Sequence, residues 1–373
     1  MKILVVGAGP AGLMFSYQLK KQKPDYDIDI IEKNKPNDIF GWGVVLPGHA
    51  PAHPANALSY LTNYDSLDAQ HIDTFRLIKQ SDSKLLNTGV TLCGVSRKAL
   101  IESLKLHCIN QGITIQHYQH PLNEHDLNKS SYDLIVLSTG INHSSTYFRE
   151  SLKPEISYGK NKYMWFGTSK IFDSLNLIFK QYPKGTFIAH AYKYSQKMST
   201  FIVECSEETF IKAGLDKIPT KKTSEFIEKV FRNELQDHSL YIPKGLKWRN
   251  FMTLGHNKSY NQSFVLIGDA LQSGHFSIGH GTTMAITSAH ILVNSIVTNN
   301  TIPTALDSYN KKIIPLVHLF RDHANASRLW FENANEALQL DINKLVDSFD
   351  SRRSALPHLP ATLGQALQEA LLY

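Results

Sequence analysis

The sequence predicts an α/β fold in which a parallel sheet is interrupted by a second, mainly antiparallel β-sheet and is followed by C-terminal helices. The chain opens with an apolar, β-branched run at residues 2–6, which stops at a glycine and continues with helical spacing over residues 13–21. In the middle, the apolar or alternating runs 186–194 and 198–205 flank a short polar turn, a pattern typical of an antiparallel hairpin. A buried-strand pattern returns at residues 264–267, so we expect the first sheet to be discontinuous in the chain.

The N-terminal elements form a βαβ pattern of about 30 residues, the length of one mononucleotide-binding half. Its second strand covers residues 28–31 and ends at an acidic residue. Further on, the pattern predicts a helix over residues 97–110 and short strands over residues 113–117 and 132–138. Residues 33–83 are rich in Pro, Gly, His and Asn and show little periodicity, so we expect an irregular segment with a functional role there.

Composition excludes several classes of protein. The chain has 373 residues, of which 42% are hydrophobic, so it can bury a large core and divide into two lobes. The net charge of +6 is a mild surplus spread over a chain with 19% charged residues. Nucleic-acid binding needs a concentrated basic surface, so we expect no nucleic-acid partner.

Cysteine usage and hydropathy favour a cytoplasmic protein. Cys93, Cys108 and Cys205 are widely spaced and have no CxxC or histidine partner at metal-ligand spacing, so we expect free thiols and no metal site. The apolar start is broken by glycines and a proline and therefore does not predict a signal peptide. No later stretch is long and apolar enough to span a bilayer, so we expect no membrane partner.

The turn between the first strand and the first helix has the spacing GxGxxG. Its glycines permit a tight turn, let the backbone approach a pyrophosphate and allow close helix packing, while the helix N-terminus offers N–H donors. A carboxylate at the end of the second strand can accept both ribose hydroxyls of an adenosine. The candidate cofactor-binding residues here are Gly7, Gly9, Pro10, Ala11, Gly12, Glu32 and Lys33.

NAD and FAD share this turn, and a second motif favours FAD. The predicted strand at residues 264–267 delivers Asp269 at its carboxyl end, next to a Gly-rich loop at residues 274–281. An aspartate so placed can bind a ribityl hydroxyl, and the amides of the loop can approach the flavin ring and pyrophosphate. The further candidates for FAD contacts are Gly279, His280, Gly281 and Thr282.

Together these motifs predict a Rossmann-like FAD-binding domain with an inserted substrate domain. We assign residues 1–150 and 255–300 to the discontinuous FAD-binding domain. Residues 151–254 are the inserted β-sheet domain, and residues 301–373 are the C-terminal helical region.

The arrangement resembles the para-hydroxybenzoate-hydroxylase class of single-component flavin monooxygenases over essentially the whole chain. Within that class, long segments are similar to the violacein-pathway hydroxylases: MKILVVGAGPAGL, FGWGVVLPG, NKYMWFGTS, FIAHAYKYS, MSTFIVECSEET, WRNFMTL and GDALQSGHFSIGHGTTMA. The resemblance implies that Gly9 and Gly12 hold the pyrophosphate and that Glu32 holds the adenosine ribose. It also implies that Asp269 holds the ribityl chain and that Arg97 holds the cofactor near that chain.

The resemblance also implies an activity. It implies hydroxylation of one indole ring, at the 5-position, of the bis-indole protodeoxyviolaceinic acid in violacein (antibiotic) biosynthesis, with NADPH and O₂ as cosubstrates. Only one GxGxxG is present, so NADPH is expected to bind transiently, without a second Rossmann domain. In such chemistry the flavin carries the reactive oxygen, and the protein positions the ring and excludes water.

The sequence departs from the class at three places. Thr139-Gly140 stands where the class has Asp-Gly, Gln272 replaces a histidine, and His275-Phe276 replaces one or two prolines. The His-Phe-Ser-Ile-Gly variant also resembles aryl-CoA hydroxylases of the salicylyl-CoA type. That activity is one alternative, and a flavin dehydrogenase or oxidase and a non-catalytic flavoprotein are others.

Substrate contacts are expected from the segment around Trp42, from one predicted strand and from the loop beside the flavin. His190, Tyr192 and Tyr194 alternate along a predicted strand and so share one face, which either lines the substrate pocket or faces water. No HExxH or GxSxG motif supports a hydrolase. The substrate-pocket candidates are Trp42, His190, Tyr192, Tyr194, His275 and Phe276.

Overall fold

The computed structural model describes residues 1–38, 41–47, 67–117, 131–141, 152–243 and 245–352. Its strands in chain order are β1 (Lys2–Val6), β2 (Asp27–Glu32), β3 (Gly43–Pro47), β4 (Gln70–Lys79), β5 (Asp82–Ser96), β6 (Thr114–His117), β7 (Leu134–Leu137), β8 (Glu155–Thr168), β9 (Leu175–Tyr182), β10 (Gly185–Lys193), β11 (Ser199–Cys205), β12 (Leu240–Tyr241), β13 (Arg249–Gly255), β14 (Tyr260–Asn261) and β15 (Phe264–Leu266). Its helices are α1 (Pro10–Gln22), α2 (Arg97–Asn110), α3 (Glu207–Lys212), α4 (Thr220–Val230), α5 (Arg232–Leu235), α6 (Gly281–Thr298), α7 (Ile302–Glu332), α8 (Ala334–Ala337) and α9 (Ile342–Ser351).

In the described part of the chain, the first sheet has six strands in the order β14-β15-β7-β1-β2-β6. All neighbouring pairs are parallel except β14 with β15, and β1 lies between β2 and β7. Ile3, Leu4 and Val5 of β1 are almost completely buried, as expected of a parallel strand covered on both faces. The predicted βαβ unit and the return of the chain to this sheet at β15 are confirmed.

Among the residues described, the second sheet has nine strands. Eight of them follow the order β12-β8-β11-β10-β9-β4-β5-β3, and β13 pairs with β8. Its pairs are antiparallel except β4 with β9. The predicted hairpin is confirmed as β10 and β11, in which Ile188 lies opposite Glu204.

The expectation of an irregular segment over residues 33–83 was wrong for the parts that form β3, β4 and the start of β5. In β4 only Ile72 and Leu77 are fully buried. Because so few positions of this strand need an apolar side chain, its sequence lacks the alternation of apolar and polar residues that predicts a strand. These three strands, assigned from the sequence to the first domain, pair within the second sheet.

The C-terminal helices cover part of the second sheet. Phe331 at the end of α7 and Phe349 of α9 join a buried cluster with Phe179 and Ile188 of that sheet. The predicted helical region is confirmed as far as Ser351, and residues 353–373 lie outside the described residues. Within the described ranges, no helix combines the length and apolarity needed to cross a membrane.

Gly94 allows β5 to pass close to the end of β10. A Cβ atom at Gly94 would lie 2.0 Å from the carbonyl oxygen of Lys193. Real Cβ atoms do not approach backbone oxygens so closely, so the strand can take this path only with glycine at this point.

We therefore expect Gly94→Ala to lower the free energy of unfolding by about 1–3 kcal/mol, the usual cost of overpacking. Urea unfolding followed by circular dichroism measures this change. Gly255→Ala is the matched control in β13, because its added Cβ would meet only Arg321 side-chain atoms at an ordinary 3.4 Å. Equal stability of the two variants would contradict the packing argument.

Candidate active site

The Gly-rich turn after β1 is closed on one side and open on the other. Gly7 has φ +110°, and a Cβ atom there would lie 2.5 Å from the carbonyl oxygen of Ser138. A Cβ at Gly12 would lie 2.3 Å from the oxygen of Gly7. At Gly9 nothing lies within 4 Å among the described residues, and no side chain caps the N-terminus of α1 there. The amide groups thus face open space, the geometry that suits a pyrophosphate.

Glu32 is held over this turn by hydrogen bonds. Its Oε2 accepts from the backbone N–H of Ala8 at 2.8 Å. Its Oε1 accepts from the backbone N–H of Asn34 at 2.9 Å and from Asn34 Nδ2 at 2.6 Å. The side chain is half-buried, whereas the neighbouring Lys33 is exposed. The carboxylate keeps acceptor capacity for ribose hydroxyls, because a carboxylate has about four lone-pair sites.

Asp269 lies in the turn that follows β15, and this turn packs on the start of α1. Gly268 has φ +62°, and a Cβ there would lie 2.8 Å from Cβ of Ala11. A glycine at this position therefore lets the Asp269 turn approach the Gly-rich turn closely. The two motifs that lie about 260 residues apart in the sequence are thereby brought together.

Arg97 faces Asp269 across the junction of the two sheets. Burial raises the pKa of Asp269, and the positive charge of Arg97 opposes that rise. Burial also lowers the pKa of Arg97, and Asp269 opposes that fall. Solvent nevertheless reaches the Asp269 side chain, which is exposed. Asp269 is thus surrounded by protein atoms and still reached by solvent, so we infer that it lies on the wall of a narrow cleft.

The loop after Asp269 ends at a second open helix N-terminus. Gly279 has φ +68°, and an added Cβ at Gly279 or Gly281 meets nothing within 4 Å among the described residues. No side chain of the described ranges caps the start of α6. His280 Nδ1 pairs with the carbonyl oxygen of Ile278, and Thr282 is half-buried. The residues present therefore fit FAD: two open helix N-termini suit its phosphates, and Glu32 and Asp269 suit its hydroxyl groups.

A cluster of polar side chains lies on the face of the second sheet where this loop packs. The Glu204 side chain is 1% exposed, and its Oε1 lies 2.7 Å from Nε2 of His190. Its Oε2 accepts from Asn161 Nδ2 at 3.1 Å and lies 3.7 Å from Nε2 of His275. Two strands, β8 and β10, and the loop thus supply groups to one buried carboxylate on β11.

The ionisation of this cluster follows from burial and charge. Burial favours the neutral form of Glu204, but the hydrogen bond from His190 and the charges of His275 and His190 together lower its pKa below the usual range. Burial lowers the pKa of His275 to about 4, although Glu204 opposes this. At neutral pH Glu204 is therefore ionised and His275 is uncharged.

Aromatic rings surround the cluster. The ring of Phe276 meets His190 edge-on at 5.0 Å between centroids and Tyr163 at 5.3 Å. Phe251 contacts His275 at 5.3 Å, and Phe331 contacts His190 at 4.9 Å. The structure therefore brings three of the predicted pocket residues, His190, His275 and Phe276, into contact.

The other predicted pocket residues lie nearby on the second sheet. Tyr192 donates to the carbonyl oxygen of Gly43 at 2.9 Å, and the Tyr194 side chain packs on the same glycine. Trp42 packs on Gly167, where an added Cβ would lie 2.5 Å from its ring. The strand face that carries His190 and these tyrosines is not turned to water, since His190 and Tyr194 are buried and Tyr192 is half-buried.

Sequence reasoning assigned no role to Glu204, Asn161 or Tyr163. A signal for Glu204 was present, because it is the one charged residue in β11, whose seven residues are all buried. Such a residue is buried only with partners. In the part of the chain that the structure describes, no group of three or more His, Cys, Asp or Glu residues has metal-site geometry.

We expect Glu32→Ala to weaken retention of FAD by about 1–3 kcal/mol, the cost of losing a charged hydrogen-bond partner. Cofactor content after dialysis and a titration of apoprotein with FAD measure the loss. Glu102→Ala is the control, because Glu102 lies on the exposed face of α2 and forms a surface ion pair with Lys98. Glu32→Ala saturated with FAD should turn over normally, and inactivity of the saturated variant would contradict a role in cofactor recognition alone.

Comparison with known proteins agrees with the geometry. A family described as NAD(P)-binding Rossmann-like domain matches residues 5–43. The solved structure of 2-methyl-3-hydroxypyridine-5-carboxylic acid oxygenase in a tetrameric form superposes with a TM-score of 0.71. The match covers 95% of this chain and 97% of that one at 15% identity, which shows a shared fold.

Two curated relatives are similar over nearly the whole chain. The salicyloyl-CoA 5-hydroxylase of a Streptomyces species is 30% identical, over 94% of this chain and 68% of that protein. The protodeoxyviolaceinate monooxygenase of Chromobacterium violaceum is 50% identical over 372 residues, the full length of both chains. This chain therefore belongs to the protodeoxyviolaceinate monooxygenase family and is an FAD-dependent monooxygenase.

Proposed function

We propose that this enzyme is a single-component aromatic hydroxylase that uses NADPH and O₂ to hydroxylate one indole ring of protodeoxyviolaceinate at the 5-position. The full-length 50% identity to the Chromobacterium violaceum enzyme carries the assignment. The resemblance of long segments outside the cofactor motifs also supports it. The reaction inserts one oxygen atom of O₂ into a ring C–H bond, reduces the other to water and oxidises NADPH.

The residues of the cleft have distinct tasks in this proposal. Gly9 and Gly12 at the start of α1 bind the pyrophosphate of FAD, Glu32 binds the adenosine ribose, and Arg97 and Asp269 hold the ribityl chain. FAD, when bound, supplies the redox and oxygen-transfer chemistry. The protein contributes position and a dry environment, because an electron-rich ring needs alignment more than acid–base catalysis.

NADPH is proposed as a transient cosubstrate. The one GxGxxG turn and Glu32 are taken by FAD, so a second dinucleotide has no Rossmann site of its own among the described residues. The three cysteines are buried and form no disulfide, which supports a reducing, cytoplasmic setting.

An aryl-CoA ester is the second candidate substrate, favoured by the 30% identity to salicyloyl-CoA 5-hydroxylase. A CoA ester needs basic groups that hold its phosphates outside the pocket. Paired basic residues occur in the sequence at few places, such as Lys221-Lys222 on α4, where both side chains are exposed. The charge distribution therefore favours the bis-indole acid.

We expect protodeoxyviolaceinate to stimulate NADPH oxidation and to yield a product heavier by one oxygen atom. Absorbance of NADPH and mass spectrometry of the product test this with purified holoenzyme. Aryl-CoA esters should give no stimulation. Equal or greater stimulation by a CoA ester would contradict the bis-indole acid as the substrate. NADPH oxidation without an oxygenated product would indicate an oxidase.

A further inference from the structure

Glu204 and His190 form a carboxylate–imidazole pair that lies outside the residues proposed to hold FAD. The two residues lie on neighbouring strands, β11 and β10, on one face of the sheet. Glu204 Oε1 and His190 Nε2 are 2.7 Å apart, with side chains 1% and 10% exposed. A hydrogen bond this short fixes the ring orientation of His190.

The charge of Glu204 needs one positive partner, because an isolated buried carboxylate is very costly. His275 does not provide it at neutral pH, since burial lowers its pKa to about 4 and its Nε2 lies 3.7 Å from Glu204. Arg328 on α7 lies near His275 but pairs with Glu332 at 2.8 Å. Asn161 is neutral. Among the described residues, His190 is the remaining side chain in contact with Glu204 that can supply this partner.

The second ring nitrogen of His190 is unused. Among the residues that the structure describes, Nδ1 of His190 has no hydrogen-bond partner, whereas Nε2 is taken by Glu204. The ring stands edge-on to Phe276 of the loop that leads from Asp269. A ring nitrogen without a partner among the described residues therefore stands beside an aromatic wall next to the cofactor cleft.

We propose that His190 is a substrate-binding residue whose Nδ1–H donates to the carboxylate of the bis-indole substrate, and that Glu204 is the positioning residue that keeps this donor charged and oriented. The proposal rests on the proposed function and deepens it. A charged N–H donor prefers an anionic acceptor. The indole N–H groups of the substrate are themselves donors, so the carboxylate is the part of the molecule that fits this nitrogen.

The test uses the holoenzyme and two ligands, the bis-indole acid and the same bis-indole without its carboxylate. His190→Gln, Glu204→Gln and the double variant are compared with the parent. His318→Gln is the control, since this histidine of α7 pairs with Asn257 and lies outside the cluster. Perturbation of the flavin absorbance gives Kd without NADPH, and steady-state kinetics give KM and kcat. FAD content and thermal unfolding verify that each variant is folded.

For the acid, we expect His190→Gln and Glu204→Gln to raise Kd and KM roughly tenfold to a hundredfold, the effect of losing a charged hydrogen bond, with kcat little changed. The double variant should be no worse than His190→Gln, because both changes remove one interaction. Glu204→Asp, which keeps the charge, should recover part of the loss. The ligand without a carboxylate should bind the parent and all variants alike.

Equal losses for both ligands, or an unchanged Kd for the acid in folded His190→Gln, would overturn the proposal. Binding of the acid with this pattern but without turnover would contradict the proposed function and leave the role of His190 intact. Normal turnover with an unchanged KM in His190→Gln would contradict the role of His190 and leave the proposed function intact. Failure of the parent enzyme to bind the acid would contradict both.

Discussion

The close approach of the two turns at the carboxyl ends of β1 and β15 is the constraint on which the cleft depends. Both turns use glycines with positive φ, Gly7 and Gly268, and each is packed so tightly that a Cβ atom would collide with backbone or with Ala11. Ser138 at the end of β7 completes the contact by donating its hydroxyl to the carbonyl oxygens of Val6 and Gly7. The strand ends are thus held at the spacing at which one ligand can touch both turns.

The second sheet is attached to this frame at the start of α2. The helix begins at Arg97 directly after β5, with Ser96 capping it through Ala99 N–H at 3.3 Å. The backbone N–H of Arg97 donates to the carbonyl oxygen of Trp42 at 2.9 Å. The side chain of Arg97 carries the charge that opposes protonation of Asp269. One residue therefore connects the Gly-Trp-Gly segment, the second sheet and the cofactor cleft.

Local patterns in the sequence were sufficient for the parts of the fold that are stabilised locally. The turn at Gly7–Gly12 and the hairpin of β10 and β11 carry their own signals, as do the alternating residues on one face of β10. The path of β4 was not predictable, because one of its two neighbours, β9, comes from a distant segment and few side chains of β4 are buried. The position of Trp42 depends likewise on the missing side chain of Gly167, a long-range pairing that no local period records. The role of Glu204 depends on three strands meeting, which only the topology supplies.

The loop from Asp269 to Gly281 joins the proposed cofactor contacts to the cluster around Glu204. In its middle, His275 lies against Glu204, and its Nδ1 pairs with Ser277 Oγ at 2.8 Å. Ser277 in turn pairs with Ser327 of α7 at 2.7 Å, so the loop is held from the sheet on one side and from the helix on the other. A displacement of the loop would break these bonds and leave Glu204 with fewer partners in a buried environment, which is costly. The same polar contacts thus fix the loop whose two ends, near Gly268 and Gly279, lie beside the N-termini of α1 and α6 that are proposed to hold FAD.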